Sequence, residues 1–208
     1  QRNGVVNSGK TALSILIVGD SAAAGVGVEN QQDALLGSIL TELQHDFDLR
    51  YQLEARTGDT TLQVLERMQM LEMQRFDIVI TSVGVNDVTK LISPQKWIQQ
   101  QQEFYTVIER KFSPKMVLVT SVPPMNLFPA LPNPLSWLFG QYSSAMNNKL
   151  EKLIEQKRKF ENAGDYHLIQ FDLAHFKTLN LQMAEDGFHP SKEIYQLWAK
   201  QIVEKIQR

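Results

Sequence analysis

The fold is decided by the stretch Leu13-Ser14-Ile15-Leu16-Ile17-Val18-Gly19-Asp20-Ser21, where an apolar run of strand length ends in a small, polar turn. A continuous apolar run indicates a strand that is covered on both faces, as strands of parallel sheets are. Four further β-rich runs follow at residues 50–55, 77–83, 116–122 and 167–173. Segments of helical period lie at residues 31–45, 60–73, 95–111, 136–159 and 191–206. This alternation predicts a three-layer α/β fold with a doubly wound, five-stranded parallel sheet.

Length and composition indicate one domain. The 208 residues, 43% of them hydrophobic, suffice for one full-sized core and leave little chain for a second. We expect residues 13–208 to form this domain and residues 1–12 to form a flexible N-terminal tail. Within the tail, residues 4–11 match the phosphate-loop pattern G-x-x-x-x-G-K-S/T. Such a loop must follow a strand and precede a helix, whereas here a strand follows it, so we do not expect it to bind a nucleotide.

Charge and residue types exclude several partners. The formal net charge is -2 and the basic residues form no stripe, so nucleic acid is not an expected partner. No apolar run approaches the roughly 20 residues that span a bilayer, so no transmembrane segment is expected. The chain has no cysteine, and His45, His167 and His175 lack metal-ligand spacing, so neither a metal nor another cofactor is expected.

The chain begins at Gln1 rather than Met, which leaves room for a removed signal peptide or anchor, so the compartment stays open between cytoplasmic and periplasmic or exported. The oligomeric state stays open as well.

Two distant segments carry the residue types of an activated serine. Ser21 directly follows the first strand, and ligands of doubly wound sheets bind at the carboxyl ends of the strands. Asp186-Gly187-Phe188-His189-Pro190 places a carboxylate and an imidazole three residues apart, just before the last helix. A serine nucleophile needs a neighbouring base, and that base needs a partner that fixes its tautomer. Ser21 by itself also fits a helix N-cap or a turn, but the second segment favours the catalytic interpretation.

Two further loops offer hydrogen-bond donors for an oxyanion, which acyl transfer requires. The third strand runs into Gly84-Val85-Asn86-Asp87, which places an amide side chain at the carboxyl edge of the sheet. The second strand runs into a loop where Gly58 can bring its backbone N–H close to a ligand. Each of these residues alone fits an ordinary turn. Four such loops at the ends of strands indicate one shared site.

These four blocks resemble, in order and spacing, those of the SGNH hydrolases, also called GDSL esterases and lipases. The resemblance implies that Ser21 is the nucleophile, His189 the base and Asp186 the residue that orients it. It also implies an oxyanion hole formed by the backbone N–H groups of Ser21 and Gly58 and by the side chain of Asn86. The strand order that it implies is flavodoxin-like, 2-1-3-4-5. Ala22 departs from the leucine of many members, but this is a packing position.

The segment after the fourth strand is a candidate for substrate binding. Residues 122–139 hold five prolines among apolar side chains, a pattern that favours neither helix nor strand. We expect Leu127, Phe128, Leu131 and Trp137 to form an apolar wall for an acyl chain. The alternative is a loop that is simply packed on the body of the domain.

The expected function is therefore a serine hydrolase that cleaves carboxylic esters or thioesters of small or lipid-like molecules through an acyl-enzyme. The apolar loop favours a lysophospholipase or thioesterase, and deacetylation of an acetylated glycan is the alternative. A catalytically silent binding module on the same fold is less favoured, because Ser21, Asn86 and His189 are all present.

Overall fold

The structure, a computed structural model, describes residues 3–7, 9–159, 164–170 and 182–208, which contain one six-stranded sheet. The strands are β1 (Asn3–Val6), β2 (Thr11–Gly19), β3 (Phe47–Ala55), β4 (Ile78–Ser82), β5 (Met116–Thr120) and β6 (Asp165–Ile169). Their order is β1-β3-β2-β4-β5-β6; β1 is antiparallel to β3, and the other pairs are parallel. Counted without β1, the strands stand in the order 2-1-3-4-5, which confirms the predicted doubly wound fold.

Helices cover both faces of the sheet. They are α1 (Ser21–Ala24), α2 (Leu35–Leu43), α3 (Thr61–Met70), α4 (Val85–Thr89), α5 (Pro94–Phe112), α6 (Leu135–Arg158) and α7 (Lys192–Ile206), with a 3₁₀ turn at Met125–Leu127. The core of one face includes side chains of α3, α5 and α6, and that of the other includes side chains of α2 and α7. Because side chains of a strand alternate, Leu16 and Val18 enter the first core and Ile15 and Ile17 the second. This explains why the run is continuously apolar.

The N-terminal segment differs from the predicted flexible tail. Residues 3–6 form β1, in which Asn3 pairs with Gln52 and Val6 pairs with Leu49. The outer edge of β3 would otherwise present a row of unpaired backbone groups, and this short strand covers part of it. β2 also begins at Thr11, before the predicted domain boundary. The prediction of a tail over residues 1–12 is therefore wrong for these residues, and the sheet has six strands rather than five. The phosphate-loop pattern leads into β2 and not into a helix.

The long helices are present with somewhat different ends. The segment predicted at 31–45 is helical at Leu35–Leu43, and that at 60–73 is helical at Thr61–Met70, where a capping box of Thr60 and Gln63 fixes the start. The strand predicted at 167–173 is β6, and residues 171–173 lie outside the described residues. Helices α1 and α4 were not predicted, because four or five residues are too few to show a helical period. Within the described ranges, no helix is both long and apolar enough to cross a membrane.

Candidate active site

Ser21 lies at the end of the central strand β2, as the first residue of α1. The chain turns there because residue 19 is glycine: a Cβ on Gly19 would lie 2.1 Å from the backbone oxygen of Ser82. Asp20 caps α1, since its Oδ1 accepts a hydrogen bond from the N–H of Ala22 at 3.1 Å. The backbone N–H of Asp20 also donates to the Ser82 oxygen, at 3.1 Å. Ser21 is therefore held by the rigid edge of the sheet.

His189 and Asp186 approach Ser21 from the loop before α7. Ser21 Oγ lies 3.0 Å from His189 Nε2, and His189 Nδ1 lies 2.5 Å from Asp186 Oδ2. The three side chains thus form a continuous chain of hydrogen bonds, although 168 positions separate Ser21 from His189 in the sequence. The structure brings together the hydroxyl, imidazole and carboxylate that the sequence analysis singled out.

Asp186 is arranged to hold the ring of His189 in one orientation. Its Oδ1 accepts hydrogen bonds from the backbone N–H groups of Phe188 and His189, each at 2.9 Å, so Oδ2 is left for the ring. Desolvation raises the pKa of Asp186, but the hydrogen bonds from the backbone and ring of His189 outweigh it and lower the pKa to about 2. The carboxylate is therefore ionised at neutral pH. An anion at Nδ1 favours the tautomer with its proton on Nδ1, which leaves the Nε2 lone pair facing Ser21.

Two glycines allow other loops to pack closely on the loop that carries His189. Gly27 has φ +105°, and a Cβ there would lie 2.5 Å from the backbone oxygen of Pro190 and 3.0 Å from His189 Cβ. Gly187 has φ +64°, and its oxygen accepts a hydrogen bond from the N–H of Ala130 at 3.1 Å. The segment after α1 and the loop after β5 therefore both support the position of His189.

Asn86 and Gly58 lie on the adjacent loops that follow β4 and β3. Asn86 belongs to α4, and its Nδ2 donates to the backbone oxygen of Asp59 at 3.0 Å. This bond ties the two loops together and uses one of the two N–H bonds of the amide. Gly58 has φ +84°, while a Cβ there would meet nothing within 4 Å. It is thus the left-handed backbone, and not crowding, that favours glycine at this position.

A buried polar network fixes α4, and with it Asn86. Both carboxylate oxygens of Asp87 accept hydrogen bonds from the backbone N–H of Thr61, and the Thr61 hydroxyl donates to Asp87 Oδ2 at 3.0 Å. The same hydroxyl accepts hydrogen bonds from Trp97 Nε1 at 3.0 Å and Gln101 Nε2 at 3.1 Å. Burial raises the pKa of Asp87 to about 6. The network connects α4 to α3 and α5, behind the candidate site.

A small cavity of about 50 Å³ opens beside Ser21 and His189. Most of its lining is apolar, and it includes Val83, Val85, Val122, Phe128, Met183, Phe188, Ile194 and Trp198. The ring of Phe188 meets the rings of Phe128 and His189 edge to face, with centroids 5.2 Å and 5.3 Å away. Asp20 also lines the cavity, and burial raises its pKa to about 7. The cavity can therefore hold a small apolar group next to the serine hydroxyl.

The predicted acyl wall is only partly present. Of its four residues, all of which the structure describes, Phe128 alone lines the cavity, and it is 5% exposed. Leu131 packs against the core, Leu127 is 38% exposed and Trp137 is 62% exposed. Trp137 lies in the first turn of α6, which begins at Leu135, and lines a second groove instead. The prediction is wrong for Leu127, Leu131 and Trp137 as walls of this cavity.

Tyr195, which no sequence pattern singled out, holds the segment after Ser21. Tyr195 is fully buried, and its hydroxyl lies within hydrogen-bond distance of the backbone oxygens of Ala22, at 3.0 Å, and Val26, at 2.7 Å. Its ring stacks on Trp198, which lines the cavity. Tyr195 follows Ile194 in the apolar face of α7, so it resembles an ordinary core residue. The signal that could have found it is the hydroxyl itself, because a buried tyrosine needs a partner for that group.

The surroundings of the other histidines bear on the question of a metal site. Among the described residues, no three histidine or acidic side chains lie close enough together to hold a metal ion. His167 contacts Asp165 at 2.7 Å, on β6, and His175 lies outside the described residues.

Solved structures of lipolytic enzymes share this fold. A member of the lipolytic protein G-D-S-L family from Veillonella parvula superposes with a TM-score of 0.73 at 14% identity, over 95% of this chain and 100% of that chain. A psychrotrophic esterase from Pseudoalteromonas sp., inhibited by monoethylphosphonate, gives a TM-score of 0.68 at 19% identity, over 93% of this chain and 96% of that chain. An acetylxylan esterase from Geobacillus stearothermophilus gives 0.66 at 14% identity, over 96% of each chain. At these identities the likeness concerns the fold alone.

The family assignment rests on the sequence. A comparison with curated proteins finds no match. The sequence model of the GDSL-like lipase/acylhydrolase family matches residues 17–197, a range that includes Ser21, Asn86, Asp186 and His189. This match covers most of the 208 residues. The chain therefore belongs to the GDSL-like lipase/acylhydrolase family and is a serine ester hydrolase.

Proposed function

We propose that the enzyme hydrolyses carboxylic esters of short acyl groups through an acyl-enzyme on Ser21, with His189 as general base and acid and Asp186 as its orienting partner. The observation that carries this proposal is the chain of hydrogen bonds from Ser21 Oγ to His189 to Asp186, with 3.0 Å and 2.5 Å between the paired atoms, beside a small apolar cavity. Nucleophile, base and orienter lie within the distances that this chemistry requires.

The reaction has two parallel halves. Ser21 Oγ forms a bond to the ester carbonyl carbon while its proton moves to His189 Nε2. The tetrahedral intermediate collapses, its bond to the alcohol oxygen breaks, and the proton passes from His189 to that oxygen. Water then attacks the acyl-enzyme in the same way, and the acid and Ser21 are released. Asp186 remains an anion throughout and stabilises the imidazolium that forms between the transfers.

The oxyanion is proposed to be stabilised by the backbone N–H groups of Ser21 and Gly58 and by the amide of Asn86. Ser21 is the first residue of α1, so its N–H has no acceptor within that helix. The amide of Asn86 donates one N–H to Asp59 and keeps a second for a ligand. The bond to Asp59 also fixes the direction of the amide, which favours a preorganised donor.

The size of the cavity favours a short acyl group. Its volume is about 50 Å³, about a third of that of an engineered apolar cavity of about 150 Å³ that binds benzene. An acyl group of about two to four carbons therefore suits it, and the acetyl group of an acetylated glycan fits as well. Lysophospholipids and long-chain thioesters are less well supported, because Phe128 alone of the predicted acyl wall lines the cavity.

The test of acyl size is a series of 4-nitrophenyl esters from acetate to octanoate. We expect kcat/KM to be highest at two to four carbons and Phe128→Ala to move the maximum to longer chains. Each additional methylene that is buried contributes about 0.8 kcal/mol, or about fourfold in kcat/KM. Leu127→Ala is the matched control, because this neighbour is exposed and should leave the maximum in place. A wild-type maximum at octanoate would contradict the short-acyl proposal.

The test of the nucleophile is labelling with an ethyl phosphonate ester. A phosphonyl group should attach to Ser21, where peptide mapping by mass spectrometry would locate it, and labelling should disappear in Ser21→Ala. Loss of a triad member typically costs several orders of magnitude in turnover, so the same variant should lose nearly all esterase activity. A folded Ser21→Ala enzyme that is still labelled, or that keeps more than about a tenth of its activity, would refute the assignment.

A further inference from the structure

A second concave site lies beside the cavity at Ser21, on the outer side of the loop after β5. This groove has a volume of about 470 Å³, within the roughly 300–1,000 Å³ usual for small-molecule sites. Its lining comes from the end of β5, the 3₁₀ turn, the part of α6 between Trp137 and Glu151, and the end of β6. The side chains that matter below are Asn126, Trp137, Gln141, Ser144, Asn148 and Glu151.

The groove is polar but almost uncharged. Among the described residues that line it there is no lysine, arginine or histidine, and Glu151 is the one acidic side chain. A phosphate or carboxylate ligand would lack a counter-charge there, and an acyl chain would have to pack against many amide and hydroxyl groups as well as against Val122, Pro124 and Leu168. Amide and hydroxyl groups both donate and accept hydrogen bonds, as the hydroxyl groups of a saccharide do.

Several of these polar groups are available to a ligand. Asn147 is occupied, because its side chain bonds both the N–H and the carbonyl of Val122, at 2.9 Å and 2.8 Å. Gln141, Ser144 and Asn148 are exposed and make no side-chain hydrogen bond to other described residues. They lie three and four residues apart on α6, so they share one helix face with Trp137.

Trp137 is the large, exposed apolar side chain of the groove. It is 62% exposed, whereas Trp97 and Trp198 are 0% and 1% exposed. A large indole that projects from a neutral polar face is unusual for a surface with no partner, and it offers a flat ring on which the C–H face of a pyranose can pack. The approach of the 3₁₀ turn to α6 holds this arrangement, since a Cβ on Gly140 would lie 2.6 Å from Asn126 Cβ.

The groove and the cavity adjoin each other. Ser121 and Val122 line both of them, at the carboxyl end of β5. We propose that the groove is a saccharide-binding subsite, so that the substrate is a short-chain ester of an oligosaccharide, with its ester at Ser21 and a sugar ring on Trp137. This inference rests on the proposed esterase function for the ester and on the groove alone for the sugar.

Binding of the sugar is tested without turnover, using tryptophan fluorescence. Because Trp97 and Trp198 are buried, iodide should quench chiefly Trp137. We expect unacylated xylotetraose or chitotetraose, added at millimolar concentration, to lower this quenching at least twofold, and we expect Trp137→Ala to abolish calorimetric binding of the same sugar. Trp137→Phe should retain most of the binding, and Leu135→Ala, an exposed apolar residue of α6 outside the groove, should retain all of it. Unchanged quenching together with no calorimetric binding of either tetrasaccharide would overturn the proposal.

Turnover provides the second test. For acetylated xylotetraose we expect Trp137→Ala to lower kcat/KM at least tenfold, mainly through KM, and to affect 4-nitrophenyl acetate at least tenfold less. An equal loss on both substrates would assign Trp137 to the fold, and no loss on the saccharide would overturn the subsite. If the wild-type enzyme cleaved no ester but still bound the tetrasaccharide through Trp137, the proposed function would fail while the subsite stood.

Discussion

The variant Tyr195→Phe removes the Tyr195 hydroxyl. It tests whether this hydroxyl positions Ser21 in addition to stabilising the fold. In the folded protein this hydroxyl contacts the backbone oxygens of Ala22 and Val26, which flank the turn that follows Ser21. The oxygen of Ala22 also accepts a hydrogen bond from the N–H of Gly25, at 3.2 Å. Tyr195→Phe therefore deprives chiefly the oxygen of Val26 of its donor, without removing any ring packing.

The expected loss of stability follows from this single unpaired acceptor. Loss of a hydrogen bond to a buried polar group destabilises a protein by about 1–3 kcal/mol. Taking about 2 kcal/mol, and about 2–4 °C per kcal/mol for a chain of this size, we expect Tm to fall by about 4–8 °C. The turn that carries Ser21 would then be less firmly placed. Because a displacement of about 1 Å at a reacting group costs about 100-fold, we expect kcat to fall about tenfold even from a smaller shift.

Tyr166→Phe is the matched control. Tyr166 is also fully buried, and its hydroxyl donates to Glu109 at 2.7 Å, while Glu109 keeps its ion pair with Lys157. This pair lies between β6 and α5. Because Glu109 stays paired with Lys157, loss of the Tyr166 hydroxyl should lower Tm by less than Tyr195→Phe does and should leave kcat unchanged. Calorimetry and steady-state kinetics on 4-nitrophenyl acetate measure both quantities. A kcat that is the same for the two variants would refute the positioning role of Tyr195.

Three further predictions concern the polar groups of the site. Asn86→Ala should lower kcat about 10²- to 10³-fold with little change in KM, because the amide is expected to act on the oxyanion; a rise in KM alone would make it a substrate-binding residue. Asp186→Ala should lower kcat about 10⁴-fold, and a loss below about tenfold would mean that another group orients His189. In the wild-type protein we expect the free energy of unfolding to decrease as the pH rises, and Asp20→Asn should make this decrease smaller. Because burial raises the pKa of Asp20 from 3.8 to about 7, its contribution is complete below pH 3.8 and is lost as the pH rises through 7. Urea unfolding at pH 5 and pH 8 measures this free energy. The same pH dependence in the variant and in the wild type would contradict the prediction.

The parts of the fold that the sequence predicted are those encoded by long local patterns. The strand before Ser21 is buried on both faces, so its apolar residues are continuous and unmistakable. β1 escaped prediction because Asn3–Val6 is short and includes a glycine, and its pairing depends on the free edge of a strand more than 40 positions away. An edge pairing of this kind is a tertiary property that no local period reveals.

The residues of the candidate site likewise include some that the sequence indicates and some that it does not. Ser21 and the pair Asp186 and His189 lie in short blocks whose residue types are informative in themselves. For the loop after β5 the sequence does not predict which side chains line the site. Phe128 and Trp137 are both large and apolar, and their surroundings depend on the direction in which the chain enters α6. One of them faces the cavity and the other faces the groove. Packing direction, and not composition, decides which part of a substrate each can contact.

A row of aromatic rings links the wall of the cavity to His189. Phe188 lies between Phe128 and His189, with edge-to-face contacts on both sides, and the Gly187–Ala130 hydrogen bond ties the two loops together. If the acyl group binds in this cavity as proposed, we expect a group too long for it to displace Phe128 and, through Phe188, the imidazole. Since the Ser21–His189 hydrogen bond depends on the position of this ring, we expect an oversized acyl group to lower kcat as well as binding. The proposed selectivity for short acyl groups would then come partly from the geometry of the base, even where long chains could reach solvent.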